Sequence, residues 1–256
     1  MSDQDAINPN IYTPGTKPWE LLQRGQFDQG LQILREEYEA KPRAAREILS
    51  LGSGYMWAKM YESAAKHFTA ASRREWNGEN DFAFAGVAEW QLGNFSIAIR
   101  RWREGLKARY AVGCRVCSMT ARFLVVASAL QPSLSSKEEA EGLLLDAIAL
   151  IDPSRWSGLL GRCLLGLVEA SDLERWIESK NRDVEAQPTL QWKVNFYSAA
   201  RRLFRAEIDQ GKFRALMIPL ADAMESKNVN PETFAYVIRQ PEYFFARTEA
   251  TRVRLQ

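Results

Sequence analysis

The chain has few of the residues that common catalytic and disulfide-bonded designs need. Among its 256 residues there is a single histidine, His67, and three cysteines, Cys114, Cys117 and Cys163. A single histidine predicts neither a catalytic triad nor a histidine-based zinc site, because both need imidazole groups beside other reactive side chains. An odd and sparse set of cysteines does not suit a disulfide framework in a chain of this size. We therefore expect reduced thiols.

Strong charge and long apolar runs are also missing. Lys and Arg number 34 against 32 Asp and Glu, for a net charge of +2, which is too small for a surface that tracks phosphates. The longest apolar runs, such as 123–130, are far shorter than a bilayer-spanning helix. The polar opening MSDQDAINPN lacks the plan of a signal peptide. These absences predict a cytoplasmic protein that binds neither nucleic acid nor membrane.

Two short motifs are too incomplete to predict chemistry. Cys114 and Cys117 form a CxxC that could bind metal or cycle redox, but no second CxxC exists and its flanks look helical. The Gly52-Ser53-Gly54 run resembles a phosphate loop, but no Gly-Lys-Ser/Thr follows it. We predict no metal, no cofactor and no enzymatic activity. The alternative is an enzyme whose site converges from distant residues.

What the sequence does contain is a 34-residue period over its first half. Its apolar fraction of 46% is typical of a folded domain. Four positions recur at this spacing. They are Phe27, Tyr61 and Phe95; Gly30, Ala64 and Ala98; Leu31, Ala65 and Ile99; and Leu34, Phe68 and Trp102. Gly25 with Gly93 and Gly52 with Gly86 keep the same step, although Lys59 stands where a glycine is expected between the first two.

This period predicts a repeated helix-turn-helix unit. In the unit DFAFAGVAEWQLGNFSIAIRRWREGL, Gly86 allows close helix approach, Gly93 begins the turn and Phe95 follows it. The pattern closely resembles the tetratricopeptide repeat, with units at 11–44, 45–78 and 79–112. Pro18 predicts a shortened first helix. The resemblance implies an all-α solenoid with a right-handed superhelix.

The rest of the chain predicts more helices with a weaker period. A divergent fourth unit is expected at 113–153, with a capping box at Ser136 and Glu139 that starts its second helix. Irregular helical repeats and a cap are expected at 154–256, ending with helices near 231–239 and 242–254. Because no β-alternation appears, we predict one continuous solenoid domain over 1–256.

In tetratricopeptide stacks the first helices of the units, the A helices, line a concave groove. The resemblance therefore implies partner-binding roles for the groove-facing residues Met56, Trp57, Trp90, Val87 and Ser53. Buried aromatics dominate interface energetics, so the two tryptophans are the expected anchors. The alternative is that Trp57 or Trp90 simply packs against the next repeat. The Lys-Asn-Arg clamp of chaperone adaptors is not assembled at these positions.

A looser resemblance suggests a role. The stretches AGVAEWQLGNFSIAIRRWREGL, RWSGLLGRCLLGLVE, VNFYSAARRLFRAEIDQGKF and EYFFARTE are similar to small bacterial repeat proteins that serve as immunity partners of polymorphic toxins. This resemblance implies a non-catalytic protein that binds and occludes a toxin domain. The alternative is an adaptor that assembles a protein complex. The basic run of Arg100, Arg101, Arg103, Lys107 and Arg109 is interpreted as a solvated face, with an acidic partner as the alternative.

Overall fold

The computed structural model describes residues 16–73, 79–112, 119–153, 155–180, 187–225, 229 and 231–254, and these residues contain helices and no strand. The all-α prediction is confirmed for this part of the chain. The helices, in chain order, are α1 (Thr16–Gln23), α2 (Phe27–Ala40), α3 (Ala45–Trp57), α4 (Tyr61–Ser72), α5 (Glu79–Gln91), α6 (Phe95–Val112), α7 (Met119–Leu130), α8 (Lys137–Ala149), α9 (Trp156–Leu165), α10 (Ala170–Lys180), α11 (Gln187–Phe204), α12 (Gln210–Glu225), α13 (Pro231–Val237) and α14 (Pro241–Arg254).

The first six helices form three hairpins, and each hairpin falls inside one 34-residue unit. Helices α1, α3 and α5 come first in their units, and α2, α4 and α6 come second. Consecutive helices in this series pack against each other. Among the described residues, helix α1 has 8 residues and α3 has 13, and the shortening expected from Pro18 stays a prediction. The division of the chain into units and one domain stays a prediction.

The three hairpin turns have the same backbone conformation. Gly25, Lys59 and Gly93, which are 34 residues apart, all adopt positive φ, at 79°, 60° and 79°. The amide of the next residue donates to a carbonyl five residues earlier, at 2.8 Å for Gln26 and 2.9 Å for Met60 and Asn94. This is the hydrogen bonding of a helix end closed by a left-handed residue. Lys59 therefore holds the glycine conformation that its position in the period predicts.

Two glycines of the period lie where the helices of a hairpin cross. A Cβ atom on Gly52 would lie 2.1 Å from Cζ of Phe68, and one on Gly86 would lie 2.1 Å from Nε1 of Trp102. Both ring systems are fully buried. Only a residue without a side chain lets each aromatic ring lie this close to the facing helix.

The fourth pair of helices continues this series. All of α7 except Met119 is buried, and the beginning of the predicted fourth unit, 113–118, lies outside the described residues. The Ser136 hydroxyl accepts a hydrogen bond at 3.0 Å from the amide of Glu139 and caps α8, as the capping box predicts. Helices α9 to α12 follow, and α11 packs against α9, α10, α12 and α7.

The last two helices fold back onto the start of the chain. Helix α13 packs against α1, and α14 packs against both α12 and α5. In a simple solenoid each repeat contacts only its neighbours, so these contacts between sequence-distant helices add a second level of organisation. Within the described residues, no helix combines the length and apolar character needed to cross a membrane.

Candidate protein-binding surface

The five residues that sequence reasoning assigned to a partner-binding groove lie inside the fold. Met56, Val87, Trp90 and Ser53 are fully buried, and Trp57 is half-buried. Both tryptophans contact the C-terminal helices of the same chain, whereas the alternative expected from the sequence was packing against the next repeat. The role of the five residues in partner binding stays a prediction, and in this structure their side chains face the chain's own helices.

Trp57, the last residue of α3, joins three parts of the molecule. Its indole N–H donates to the carbonyl of Leu22 at 2.9 Å. Its ring meets Phe234 edge to face with centroids 4.7 Å apart, and the guanidinium of Arg247 lies 4.8 Å from its centroid. Such edge contacts and cation-π contacts stabilise buried aromatics beyond simple area burial. Trp57 thus ties α3 to α13 and α14.

Trp90, late in α5, has an equivalent role further along. Its indole N–H donates to Glu249 at 2.8 Å, and its ring stacks on Phe245 with centroids 5.2 Å apart. Glu249 is fully buried and also accepts from Arg214 at 2.9 Å. The guanidinium of Arg252 lies 5.5 Å from the Trp90 centroid. Arg252 also donates to Glu249. The buried carboxylate is stable here because donors from Trp90, Arg214 and Arg252 satisfy it.

Glu242, at the start of α14, is the centre of a second buried charge cluster. Its carboxylate accepts from the Tyr197 hydroxyl at 2.9 Å and lies 3.8 Å from Lys193 Nζ and 4.0 Å from Arg122. Burial alone would raise the pKa of Glu242, but Lys193, Arg122 and the Tyr197 hydrogen bond hold this pKa below its usual value. Burial lowers the pKa of Lys193, and the charge of Glu242 opposes that shift. Glu242 is therefore ionised at neutral pH.

A third set of contacts involves Arg239 and joins the C-terminal helices to α1 and α3. Arg239, between α13 and α14, donates to the Ser50 hydroxyl at 2.9 Å, and its guanidinium lies 5.0 Å from the Trp19 ring centroid. Together, Arg239, Glu242 and Glu249 with their partners form what we call the closure seam. The seam joins the C-terminal helices to α1, α3, α5 and α7.

The two candidate reactive side chains that the structure describes, His67 and Cys163, lie in packed surroundings. Nε2 of His67 lies 3.0 Å from the carbonyl of Ile48, and its ring contacts Tyr38 and Tyr55. Burial raises the pKa of the Cys163 thiol to about 11, so this thiol is protonated at neutral pH. Among the described residues, no three His, Cys, Asp or Glu side chains are grouped to hold a metal ion. The CxxC of Cys114 and Cys117 lies outside the described ranges.

One edge of the N-terminal hairpins offers apolar side chains to solvent. Phe27, Met60 and Leu92 are 40%, 40% and 38% exposed, and each lies in or beside the turn of a successive hairpin. We call these three residues the turn edge. Beside Phe27, α1 and α2 form an open depression lined by Lys17, Leu21, Asp28, Gln29, Gln32 and Ile33.

Sequence reasoning used Phe27 only as a marker of the period and did not consider Met60 or Leu92. The available signal was an apolar residue at a turn, where polar residues usually lie. Contiguous patches of exposed apolar side chains are typical of protein interaction sites.

The chain matches no family model, and neither the curated proteins nor the solved structures give a significant match.

Proposed function

We propose that this chain is a non-catalytic protein-binding scaffold of the tetratricopeptide-like class that holds one folded partner on an outer surface. In this proposal the hairpins of 11–112 are three repeats of a right-handed solenoid, and the C-terminal helices are its cap. The shared turn geometry at Gly25, Lys59 and Gly93 supports the repeat. The glycine crossings at Gly52 and Gly86 support it independently.

The observation that carries the proposal is the closure seam. An extended peptide bound in a tetratricopeptide groove would lie along the A helices, but α13 and α14 occupy that face, with Trp57 and Trp90 packed beneath them. Binding by an outer surface therefore fits this chain better than binding by the groove. The turn edge provides that surface, because Phe27, Met60 and Leu92 already lie exposed in the free chain.

A more specific role is that of a cytoplasmic immunity protein that binds a toxin domain and blocks its active site. The sequence resemblance motivates this role, and the closed fold is compatible with it. Protection from a toxin needs tight binding, and a nanomolar dissociation constant corresponds to about 12 kcal/mol. A surface that is already ordered before binding lowers the entropic cost of association.

Affinity purification of the tagged chain from its native cells, followed by mass measurement of the intact complex, tests the proposal. We expect one folded partner at one-to-one stoichiometry, and for the immunity role we expect loss of that partner's activity in the complex. Several partners held through short tails would favour the adaptor, and a chain that retains no partner would contradict protein binding.

Matched variants test the surface itself. Replacing Phe27, Met60 and Leu92 together by serine should weaken the complex at least about tenfold, since buried apolar anchors carry much of the binding energy. Replacing Leu134, Leu150 and Leu167 by serine is the control, because these leucines are 37%, 50% and 59% exposed and lie outside the turn edge. Helical content measured by circular dichroism verifies that both triple variants fold. Equal affinity of the two variants would remove the turn edge from the proposal.

A further inference from the structure

Helices α6 and α8 present outward stripes of opposite charge. Residues 95–112 hold five basic side chains and one acidic side chain, whereas residues 137–149 hold four acidic and one basic. On α6 the outward positions follow helical spacing and include Arg100, Arg103 and Lys107, which we call the basic stripe. The side chain of Arg100 is 62% exposed and lies 3.9 Å from Glu104, the one acidic residue on this face of α6, which is 40% exposed.

The outward stripe of α8 combines apolar and acidic residues. Gly142, Leu145 and Ala149 are exposed along its centre, and Glu141 and Asp146 flank them on opposite sides. Leu145 is 42% exposed, and a Cβ atom on Gly142 would have no neighbour within 4 Å. We call these five residues the acidic stripe. Among the described residues, neither Glu141 nor Asp146 has a cation within 4 Å.

One ion pair places the two stripes side by side on the same face. Arg103 donates to Glu139 at 2.8 Å, and the two side chains are 37% and 48% exposed. Both helices pack against α7, which lies beneath them. The outer surface at this point therefore changes from positive on α6 to negative on α8 between adjacent helices.

We propose that this face pairs with the same face of a second copy of the chain. A two-fold axis that lies in the interface and runs between α6 and α8 puts the basic stripe of each copy over the acidic stripe of the other. The arrangement is self-complementary and closed, as a two-fold interface requires. The alkyl stems of Arg100 and Lys107 cover Gly142 and Leu145, and their charged heads reach the carboxylates on either flank.

The area of this face determines how tightly we expect the two copies to bind. Helix α8 has 13 residues and is therefore about 20 Å long. Two helices of this length present a face of about 400 Å² per copy, or about 800 Å² in total, which is smaller than a stable interface and fits only a weak, transient one. The dimer is therefore weak, with a dissociation constant in the micromolar range, and it depends on salt because its charges are exposed.

Sedimentation velocity on the purified chain from about 1 to 200 µM tests this proposal, and it needs no partner from the native cell. We expect a monomer–dimer equilibrium whose dissociation constant rises at least about tenfold between about 50 and 500 mM salt. A monomer at every concentration would overturn the proposal, and so would a dimer that is indifferent to salt.

Charge-swap variants test the pairing of stripes. Arg100→Glu with Lys107→Glu makes both stripes acidic, and Glu141→Lys with Asp146→Lys makes both basic, so each variant alone should be monomeric. An equimolar mixture of the two should form a heterodimer, because every cross-copy pair is then attractive. The control is Arg24→Glu with Lys212→Glu, which changes net charge as the first variant does but lies at exposed positions elsewhere. A mixture that stays monomeric, or a control that loses the dimer, would overturn the proposed pairing.

Discussion

The N-terminal hairpins and the C-terminal closure seam are held together by different chemistry. In the hairpins, a glycine packs against a large aromatic ring: Gly52 lies against Phe68, and Gly86 lies against Trp102. In the seam, the carboxyl groups of Glu242 and Glu249 are fully buried among cations and hydrogen-bond donors. The hairpins thus depend on shape, and the seam depends on charge as well as packing.

The two regions also differ in the sequence distance that their contacts span. The Gly86–Trp102 contact joins helices of one hairpin, whereas the Trp90–Glu249 hydrogen bond joins residues 159 positions apart. Apolar packing tolerates several alternative alignments, but a buried carboxylate must meet its own cations or remain unpaired. We infer that the seam charges fix how the C-terminal helices align on the A helices.

The largest loss of stability should come from Glu242→Gln in the closure seam. The change keeps the shape but leaves Lys193 and Arg122 buried without their counter-charge, so we expect a loss of about 3–5 kcal/mol in the free energy of unfolding. Urea denaturation followed by circular dichroism measures this loss. The control is Glu178→Gln, at an exposed position of α10, which should change stability by less than about 0.5 kcal/mol. A loss of similar size in both variants would mean that the seam does not depend on the Glu242 charge.

Lowering the pH should also weaken the closure seam, because it neutralises the Glu242 carboxylate. The pKa of Glu242 in the folded chain is below its usual value of 4.5. Above pH 4.5 the carboxylate is ionised in both states and its stabilising contribution is complete. The unfolded chain binds a proton at Glu242 at a higher pH than the folded chain does. The stabilising contribution of the carboxylate therefore decreases as the pH falls below 4.5, and it is lost once the pH is below the pKa of Glu242 in the folded chain. The stability difference between the wild type and Glu242→Gln should therefore shrink below pH 4.5, and a constant difference would contradict the pKa shift.

A smaller loss is expected from Gly86→Ala in the hairpins. The new Cβ atom would lie 2.1 Å from Trp102 Nε1, so the ring or the helix must move, at a cost of about 1–3 kcal/mol. The matched control, measured at a concentration where the chain is monomeric, is Gly142→Ala in α8, where nothing lies within 4 Å of the new atom. There the same substitution should stabilise by about 0.5–1 kcal/mol, because alanine favours a helix. Two changes of the same sign would show that crowding at Gly86 does not decide the result.

The hairpins could be predicted from sequence because their contacts are local and repeat. The 34-residue step predicts which residue lies at the turn and which at the crossing, and Gly25, Gly86 and Phe95 lie where it predicts. The helices near 231–239 and 242–254 were also predicted, and they are observed at Pro231–Val237 and Pro241–Arg254.

The closure seam could not be predicted in this way, because its pairs join residues without a shared period. Glu249 is buried in the structure, yet in the sequence it looks like any charged residue on a helix surface. Trp57 and Trp90 have the same ambiguity, since a large aromatic late in an A helix suits both a groove and an interior. What distinguishes the two is the position of α13 and α14, which depends on long-range packing.

The smallest change in stability is expected at Lys59, which occupies the turn position that is glycine in the other two hairpins. Its φ of 60° is costly for a residue with a side chain, by roughly 1–2 kcal/mol. Lys59→Gly removes that strain but makes the unfolded chain more flexible, so we expect a net gain of about 0.5–1 kcal/mol. The gain would be measured by urea denaturation.

Two comparisons show whether this gain belongs to the turn. Ala206→Gly, at the other non-glycine residue of positive φ in the described part of the chain, should stabilise by a similar amount. Lys66→Gly, at an exposed position within α4, should instead destabilise by about 1 kcal/mol, because glycine weakens a helix interior. If Lys59→Gly destabilised the chain while Ala206→Gly stabilised it, the Lys59 side chain would itself support the turn, and the three hairpin turns would not be equivalent.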